Sequence, residues 1–408
     1  MRIPQDTATA TGLNRALLAR QGLLDRHPGP GGGKHNDKTG RRLDAAASSR
    51  LRNGSHTALV SAIEQIGALQ AQQWSSPPVG LWSRLDGFSP ADLWAVLDKG
   101  DLVTGILMRR TLHLVSAAEH PVWARIAAET GVGGWLLRGV EQPERAGDLL
   151  TDTVAYAKQI RTGDELTAYA EKWVDDHPDA LPAKAVAAQR EYKWRPFRAQ
   201  PAFLKAPTDG AWGAKTPAAY RSGPPTPRSL TSEKAWETAI TRHLGAFGPA
   251  GADDIAYWLG SPAGPVKAAL ERLDLATLRE ENGRRVLYDV ADAPRPADDT
   301  EAPPRFLPAF DNALLAFAAN RRARILPDAY KDRVYLKRNL RWLPTFLVDG
   351  LVAGVWSTET KRGVATLTVT AFEKPTKAAT AAVEAEGEAL VRFTEPTAKD
   401  HVVRITTS

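Results

Sequence analysis

Trp236-Glu-Thr-Ala-Ile-Thr-Arg-His-Leu244, Ala252-Asp-Asp-Ile-Ala-Tyr-Trp-Leu259 and Gly264-Pro-Val-Lys-Ala-Ala-Leu-Glu-Arg-Leu273 follow one another with short breaks, and each carries apolar residues at helical spacing. Gly260 stands where a helix can end in the left-handed conformation. Directly after come Leu275-Ala-Thr-Leu-Arg-Glu280 and Arg284-Arg-Val-Leu-Tyr-Asp-Val290, flanking Asn282-Gly283, the dipeptide most strongly associated with a two-residue hairpin turn. Three helices and a hairpin spell a winged helix-turn-helix, whose third helix ordinarily lies in the DNA major groove. The outward positions of that helix, Lys267, Glu271 and Arg272, are thin for reading bases. Arg284 and Arg285 on the wing are better suited to phosphate. Winged helices also serve as protein-binding scaffolds, so the fold alone does not settle function.

Toward the N-terminus the stretch of interest is Gly67-Ala-Leu-Gln-Ala-Gln-Gln-Trp74. The run from Thr57 to Ile66 before it is amphipathic with a helical period; Gly67 can end that helix, and Ser75-Ser-Pro-Pro78 forbids its resumption. An extended segment would put Gln70 and Gln72 on one face and Leu69 and Ala71 on the other, whereas in a helix the two amides would diverge by about 200°. Two amides on one face can hold a water or a polar ligand, but cannot take its proton as a carboxylate can. Glutamine is equally an ordinary residue at an exposed helix end. Further on, Ser89-Pro-Ala-Asp-Leu-Trp-Ala-Val-Leu97 reads as a helix with a serine cap and proline at its first position. Leu102 to Val115 reads as a pair of strands or one bent strand, and Ser116-Ala-Ala-Glu119 as a capping box. Thr111 and His113 would share a face of that strand; a core histidine is the commoner meaning of such a position.

Two stretches concentrate positive charge. From Lys184 to Arg228 nine Lys or Arg stand against two acids, with aromatics interleaved as in Trp194-Arg-Pro-Phe-Arg198, a pattern suited to phosphates and to stacking on an exposed base. The alternative is that the rings glue a long, irregular connection to the body while the charges face solvent. From Asn320 to Arg341 eight Lys or Arg stand against two acids, again either a DNA-facing surface or a solvated face. Beyond the linker from Ala291 to Pro304, Thr345-Phe-Leu-Val-Asp-Gly-Leu-Val-Ala-Gly-Val-Trp-Ser357 reads as two strands around an Asp349-Gly350 turn. Arg362 to Ala371 reads as a third strand and Lys377 to Phe393 as a closing helix. The segment 27–55, rich in glycine, proline and scattered charge, is expected to be a mobile insertion.

A net charge of +6 favours an anionic partner. The absence of cysteine excludes thiolate metal sites, disulfides and a cysteine nucleophile. The eight histidines show no metalloprotease spacing, and the glycines from Gly29 to Gly33 match no phosphate loop. No signal core and no long apolar run are present, so the chain is expected in the cytoplasm, away from the membrane.

The marks Leu13-Asn-Arg-Ala-Leu-Leu-Ala-Arg-Gln-Gly-Leu-Leu24, Gln70-Ala-Gln72, Leu81-Trp-Ser-Arg84, Met108-Arg-Arg-Thr-Leu-His-Leu114, Phe306-Leu-Pro-Ala-Phe-Asp311 and Pro344-Thr-Phe-Leu-Val-Asp-Gly350 together resemble one family. This is the actinobacterial family of winged-helix proteins whose characterised members, AlkZ and YcaQ, are DNA glycosylases. The marks run to about residue 395 and cover most of the chain. YcaQ-like members carry an acid at the second position of the motif, so Gln72 is similar to the AlkZ-like branch. The connection at 27–55 is longer than in relatives.

The resemblance implies an α+β, mostly α chain of tandem winged helix-turn-helix modules followed by a small C-terminal β-barrel-like domain. Its divisions would be 11–142, 143–230, 231–292 and 304–408. Gln70 and Gln72 would be catalytic. The DNA-binding residues would be Arg109, Arg110, Thr111 and His113, joined by Lys193, Trp194, Arg195, Arg198, Arg284, Arg285, Arg321, Arg322 and Arg324 from the basic stretches. No metal and no cofactor are expected. The partner would be double-stranded DNA with alkylated purines, met by a monomer. The activity would be hydrolysis of the N-glycosidic bond of cationic bases such as N7-alkylguanine, with bulky adducts and interstrand crosslinks included by resemblance, in self-resistance or general repair. The alternatives are a non-catalytic winged-helix transcriptional regulator and a protein-binding scaffold, neither needing a role for the glutamine pair.

Overall fold

The computed structural model describes residues 6–29, 56–131, 144–281, 283 and 285–408. Ser232–Phe247, Ala252–Leu259 and Ala263–Leu270 are helices. The first is capped by Thr231, whose hydroxyl accepts the Lys234 N–H, so it begins before the apolar pattern does. Gly260, at φ +69°, ends the second in the left-handed conformation that glycine adopts without penalty. Ala276–Glu280 and Val286–Asp289 pair antiparallel as the wing-like hairpin. A third strand that no local pattern announced, Asp6–Ala8, joins Ala276–Glu280 in parallel.

The sheet carrying the glutamine pair has five strands, in the order Leu69–Gln70, Leu112–Ser116, Leu102–Ile106, Phe203–Ala206, Ala219–Ser222. Leu102 to Ser116 is thus a pair of strands, joined by the tight turn Met108–Arg110. The stretch after Pro201, expected to be an irregular connection, supplies the last two strands, and Leu204 pairs with Gly105 across the expected division at 142/143. Helices Asp148–Tyr156, Gly163–Asp176 and Ala183–Glu191 enclose a separate core of Leu149, Leu166, Trp173, Trp194 and Phe197.

The C-terminal region corrects the expected barrel. Its five strands run Asp400–Thr407, Val364–Ala371, Leu351–Lys361, Thr345–Val348, Arg305–Leu307, and the two outermost do not pair with each other, so the sheet is open. The last strand lies parallel to its neighbour and is reached through the helix Lys377–Thr394. Such a crossover covers a face of a sheet and does not close it. The Asp349-Gly350 turn forms as read, with both residues at positive φ (45° and 76°), as a type I′ hairpin requires.

Several motif residues are internal ties. From the helix Ala10–Arg20, Asn14 Nδ2 donates to the Arg324 and Gly350 carbonyls at 2.7 and 2.8 Å. Arg20 forms a fully buried ion pair with Asp289, and Arg84 another with Asp311. Gln21, Asn312 and Ser76 likewise bond backbone carbonyls far away in sequence. Of the expected insertion, His27 exchanges backbone hydrogen bonds with Arg84 and Asp86, while residues 30–55 lie outside the described residues. Among the described residues no helix is long and apolar enough to cross a membrane. The chain is a mixed α/β fold in which helix exceeds strand.

Candidate active site around Gln70 and Gln72

The helix over residues 56–65 stops at Gly67 and Ala68, which take φ of 75° and 90° and turn the chain into the sheet edge. Two distant side chains pin this turn: Gln21 Nε2 donates to the Ile66 carbonyl at 3.1 Å and Asn312 Nδ2 to that of Ala68 at 2.8 Å. The chain then runs extended, with Gln70 paired to His113 and the Ala71 N–H bonded to the Leu112 carbonyl at 2.7 Å. Leu69 and Ala71 point into a core shared with Trp74, Leu81 and Leu114. Alternation sends Gln70 to the opposite face, and Gln72, in the bend that follows the two-residue strand, folds back onto the Leu112 N–H. Gln70 is buried and Gln72 exposed, so the pair spans the step from interior to solvent.

The orientation of both amides follows from their partners. Arg109 Nη2 donates to Gln70 Oε1 at 3.2 Å, and the Leu112 N–H to Gln72 Oε1 at 3.3 Å. A guanidinium and a backbone amide can only donate, so the atom facing each must be oxygen. Each amide oxygen keeps a second lone pair and each NH2 its donors, enough to hold a water.

Arg109 was expected on DNA, but the structure turns it inward. Its guanidinium lies 4.1 Å over the Trp258 ring and donates to the Trp258 carbonyl at 3.0 Å; burial lowers its pKa to about 10. His113 is likewise a core residue: Nδ1–H donates to the Thr111 carbonyl at 2.9 Å, and burial, with the Arg109 charge second, lowers its pKa to about 3. The Thr111 hydroxyl is bonded to the Met108 carbonyl. His243, beside Trp258 and Phe247, is held near 3 by burial as well. Neither histidine serves as a base at neutral pH. Arg110, beside the half-buried Arg109, is the exposed residue of this turn.

The basic stretches divide in the same way. Lys193 and Arg195 are exposed, and Arg198 is partly so, reaching the Lys193 carbonyl. Trp194, expected to stack on a base, is fully buried with Nε1 on Glu171 at 2.7 Å. Arg285 is bound by Asp253 and Asp254 and Arg321 lies 3.8 Å from Asp253. Arg322 donates to the Tyr257 hydroxyl at 2.6 Å; Arg324 donates to the Pro249 carbonyl at 2.9 Å, its pKa lowered to about 10 by burial. Arg322 and Arg324 are thus internal, and Arg284 lies outside the described residues. The sequence reading passed over the small hairpin Tyr335–Leu336/Arg341–Trp342, which holds Leu340 67% exposed among exposed Lys337, Arg338 and Arg341. The signal was present as two leucines inside the densest part of a basic run. Beside Gln72 in sequence, Gln73 and Trp74 border a cavity of about 530 Å³ shared with Trp94, Trp356 and Phe393.

The site is thus an amide pair at a sheet edge, in a basic chain with a wing-like hairpin. The family model described as "DNA glycosylase AlkZ-like" matches residues 63–393, and the chain belongs to that family of DNA glycosylases. Its fold is similar to that of Streptomyces sahachiroi DNA glycosylase AlkZ, with a TM-score of 0.73 and 19% identity, covering 98% of this chain and 100% of that one. No curated protein sequence matches the chain.

Proposed function

We propose that this glycosylase releases purines made cationic by alkylation, such as N7-alkylguanine, with Gln70 and Gln72 positioning the attacking water. The observation that carries the reading is the amide pair itself, two residues apart at the sheet edge with both oxygens oriented by donors. Glycosidic hydrolysis passes through an oxocarbenium-like state. Neutral amides can place a water against the sugar but supply no negative charge to stabilise that cation. The leaving group must therefore be good already, and alkylation at N7 or N3 makes it so. Exposed cations at Arg110, Lys193, Arg195, Lys337, Arg338 and Arg341 supply candidate phosphate contacts. The helices and hairpin at 232–289 are read as a winged helix, and the protein as a cytoplasmic monomer on duplex DNA.

The test is single-turnover release of base from duplex DNA carrying N7-methylguanine. Gln70→Ala and Gln72→Ala should each slow release at least about tenfold, or about 1.4 kcal/mol of transition-state stabilisation, with little change in DNA affinity. A double variant excising at the wild-type rate would sink the assignment. Binding without excision by the wild-type protein would favour other substrates.

A further inference from the structure

Arg109 and Arg110 are consecutive non-glycine residues at φ +54° and +59°, in the turn that joins two strands of the site sheet. The left-handed conformation is unfavourable for such residues and persists only where its surroundings enforce it. Arg110 leaves the turn toward solvent, donating to the Gly131 carbonyl at 2.9 Å. Arg109 goes the other way, onto the Trp258 ring and carbonyl and the Gln70 oxygen. Its charged or ionisable neighbours are Tyr257, Arg322, His113 and His243, and among the described residues no carboxylate pairs with it. A half-buried cation without a counter-ion is costly to keep. Of the groups it touches, two hold the guanidinium in place and the third is the amide at the site.

We infer that Arg109 is a positioning residue for base excision: clamped on Trp258, it fixes the plane and direction of the Gln70 amide. The inference rests on the reading that Gln70 acts in excision. An amide without this partner is free about its last, broad torsion and can present either oxygen or nitrogen to a water. The charge-assisted bond from Arg109 keeps the oxygen inward and the NH2 on the far side. Trp258 belongs to the helix Ala252–Leu259, so the site in the sheet is set by a helix more than 180 residues along the chain.

Single-turnover excision and DNA titrations on the full chain test this with Arg109→Ala, Arg109→Lys, Gln70→Ala and the Gln70→Ala/Arg109→Ala double variant. Arg109→Ala should slow excision roughly 10- to 100-fold, leaving affinity and its salt dependence within about twofold of wild type. Arg109→Lys, which keeps one cationic donor, should recover part of that loss. In the Gln70→Ala background, removing Arg109 should cost no more than about a further twofold, because the amide it positions is gone. Losses that multiply in the double variant, a defect carried by affinity, or a wild-type rate in Arg109→Ala would each overturn the positioning role. If Arg109→Ala fails to fold, Arg109→Lys and Arg109→Gln carry the same comparison. Failure of the underlying reading is distinguishable: Gln70→Ala would then excise normally. A slow Gln70→Ala beside a normal Arg109→Ala overturns only the inference about Arg109.

Discussion

His113, His120 and His243 are almost wholly enclosed, and burial is the first cause that lowers their pKa values to about 3, 4 and 3. Unfolding returns each to about 6.5. The unfolded chain therefore binds more protons than the native one between about pH 6.5 and 4, and native stability is lost as the pH drops through that window. Each histidine contributes up to about 1.4 kcal/mol of loss per pH unit once the pH is well below 6.5. Thermal melting at pH 7.5 and pH 5 should thus differ by several degrees, with the lower value in acid. Equal melting temperatures would mean that water reaches these rings. At this scale the sequence was informative about face and poor about direction. Gln70 does lie in a strand paired with His113, and His113 is the core residue that its apolar strand makes the commoner reading. Arg109 was misread as a DNA contact, since a long side chain on a left-handed residue can swing to either side and only its partners decide.

Arg285 shows the same limit at the scale of elements. It stands on the hairpin that reads as a wing, yet its guanidinium crosses to Asp253 and Asp254 in the first turn of the helix Ala252–Leu259. Asp254 is fully buried, so removing Arg285 leaves its charge to the Gly251 and Ala318 N–H groups and the nearby Arg324, at a cost of up to about 3 kcal/mol. Arg285→Ala should therefore shift the midpoint of urea unfolding strongly and leave the salt dependence of DNA binding alone. The reverse result would restore Arg285 to the phosphate surface. Neutralising Lys337, Arg338 and Arg341 on the exposed hairpin should do the opposite, flattening the salt dependence by about one unit of slope per lost contact at unchanged stability. Elements with local signatures were legible: the helix Ala252–Leu259 up to its glycine, the Asp349-Gly350 hairpin, the closing helix. Asp6–Ala8, Arg305–Leu307 and Asp400–Thr407 were not foreseen as strands, since their partners lie elsewhere and each is short or follows irregular chain.

In the whole molecule, segments that read as successive modules are tied to one another. The site sheet takes strands from both sides of residue 142, and the main core joins Leu17 and Leu18 to Trp236, Phe247, Phe317 and Leu347. No periodicity within a segment could announce this, because the ties, a strand pairing, a shared apolar core and single buried polar contacts, join distant positions. The pair Arg20–Asp289 is the clearest, separated by 269 residues. Translation proceeds at about 5–20 residues per second. Arg20 therefore waits roughly 13 to 54 s after its own synthesis before its counter-charge exists. Through that interval the first helix lacks its ion-pair partner, and the Gln70 turn lacks the Asn312 that pins it. A chain cut at Leu230 should accordingly be digested rapidly by protease at concentrations the full chain withstands. The order of events is then set by the far end of the gene: the turn that carries Gln70 and Gln72 gains its Asn312 tie only when the chain is three-quarters made.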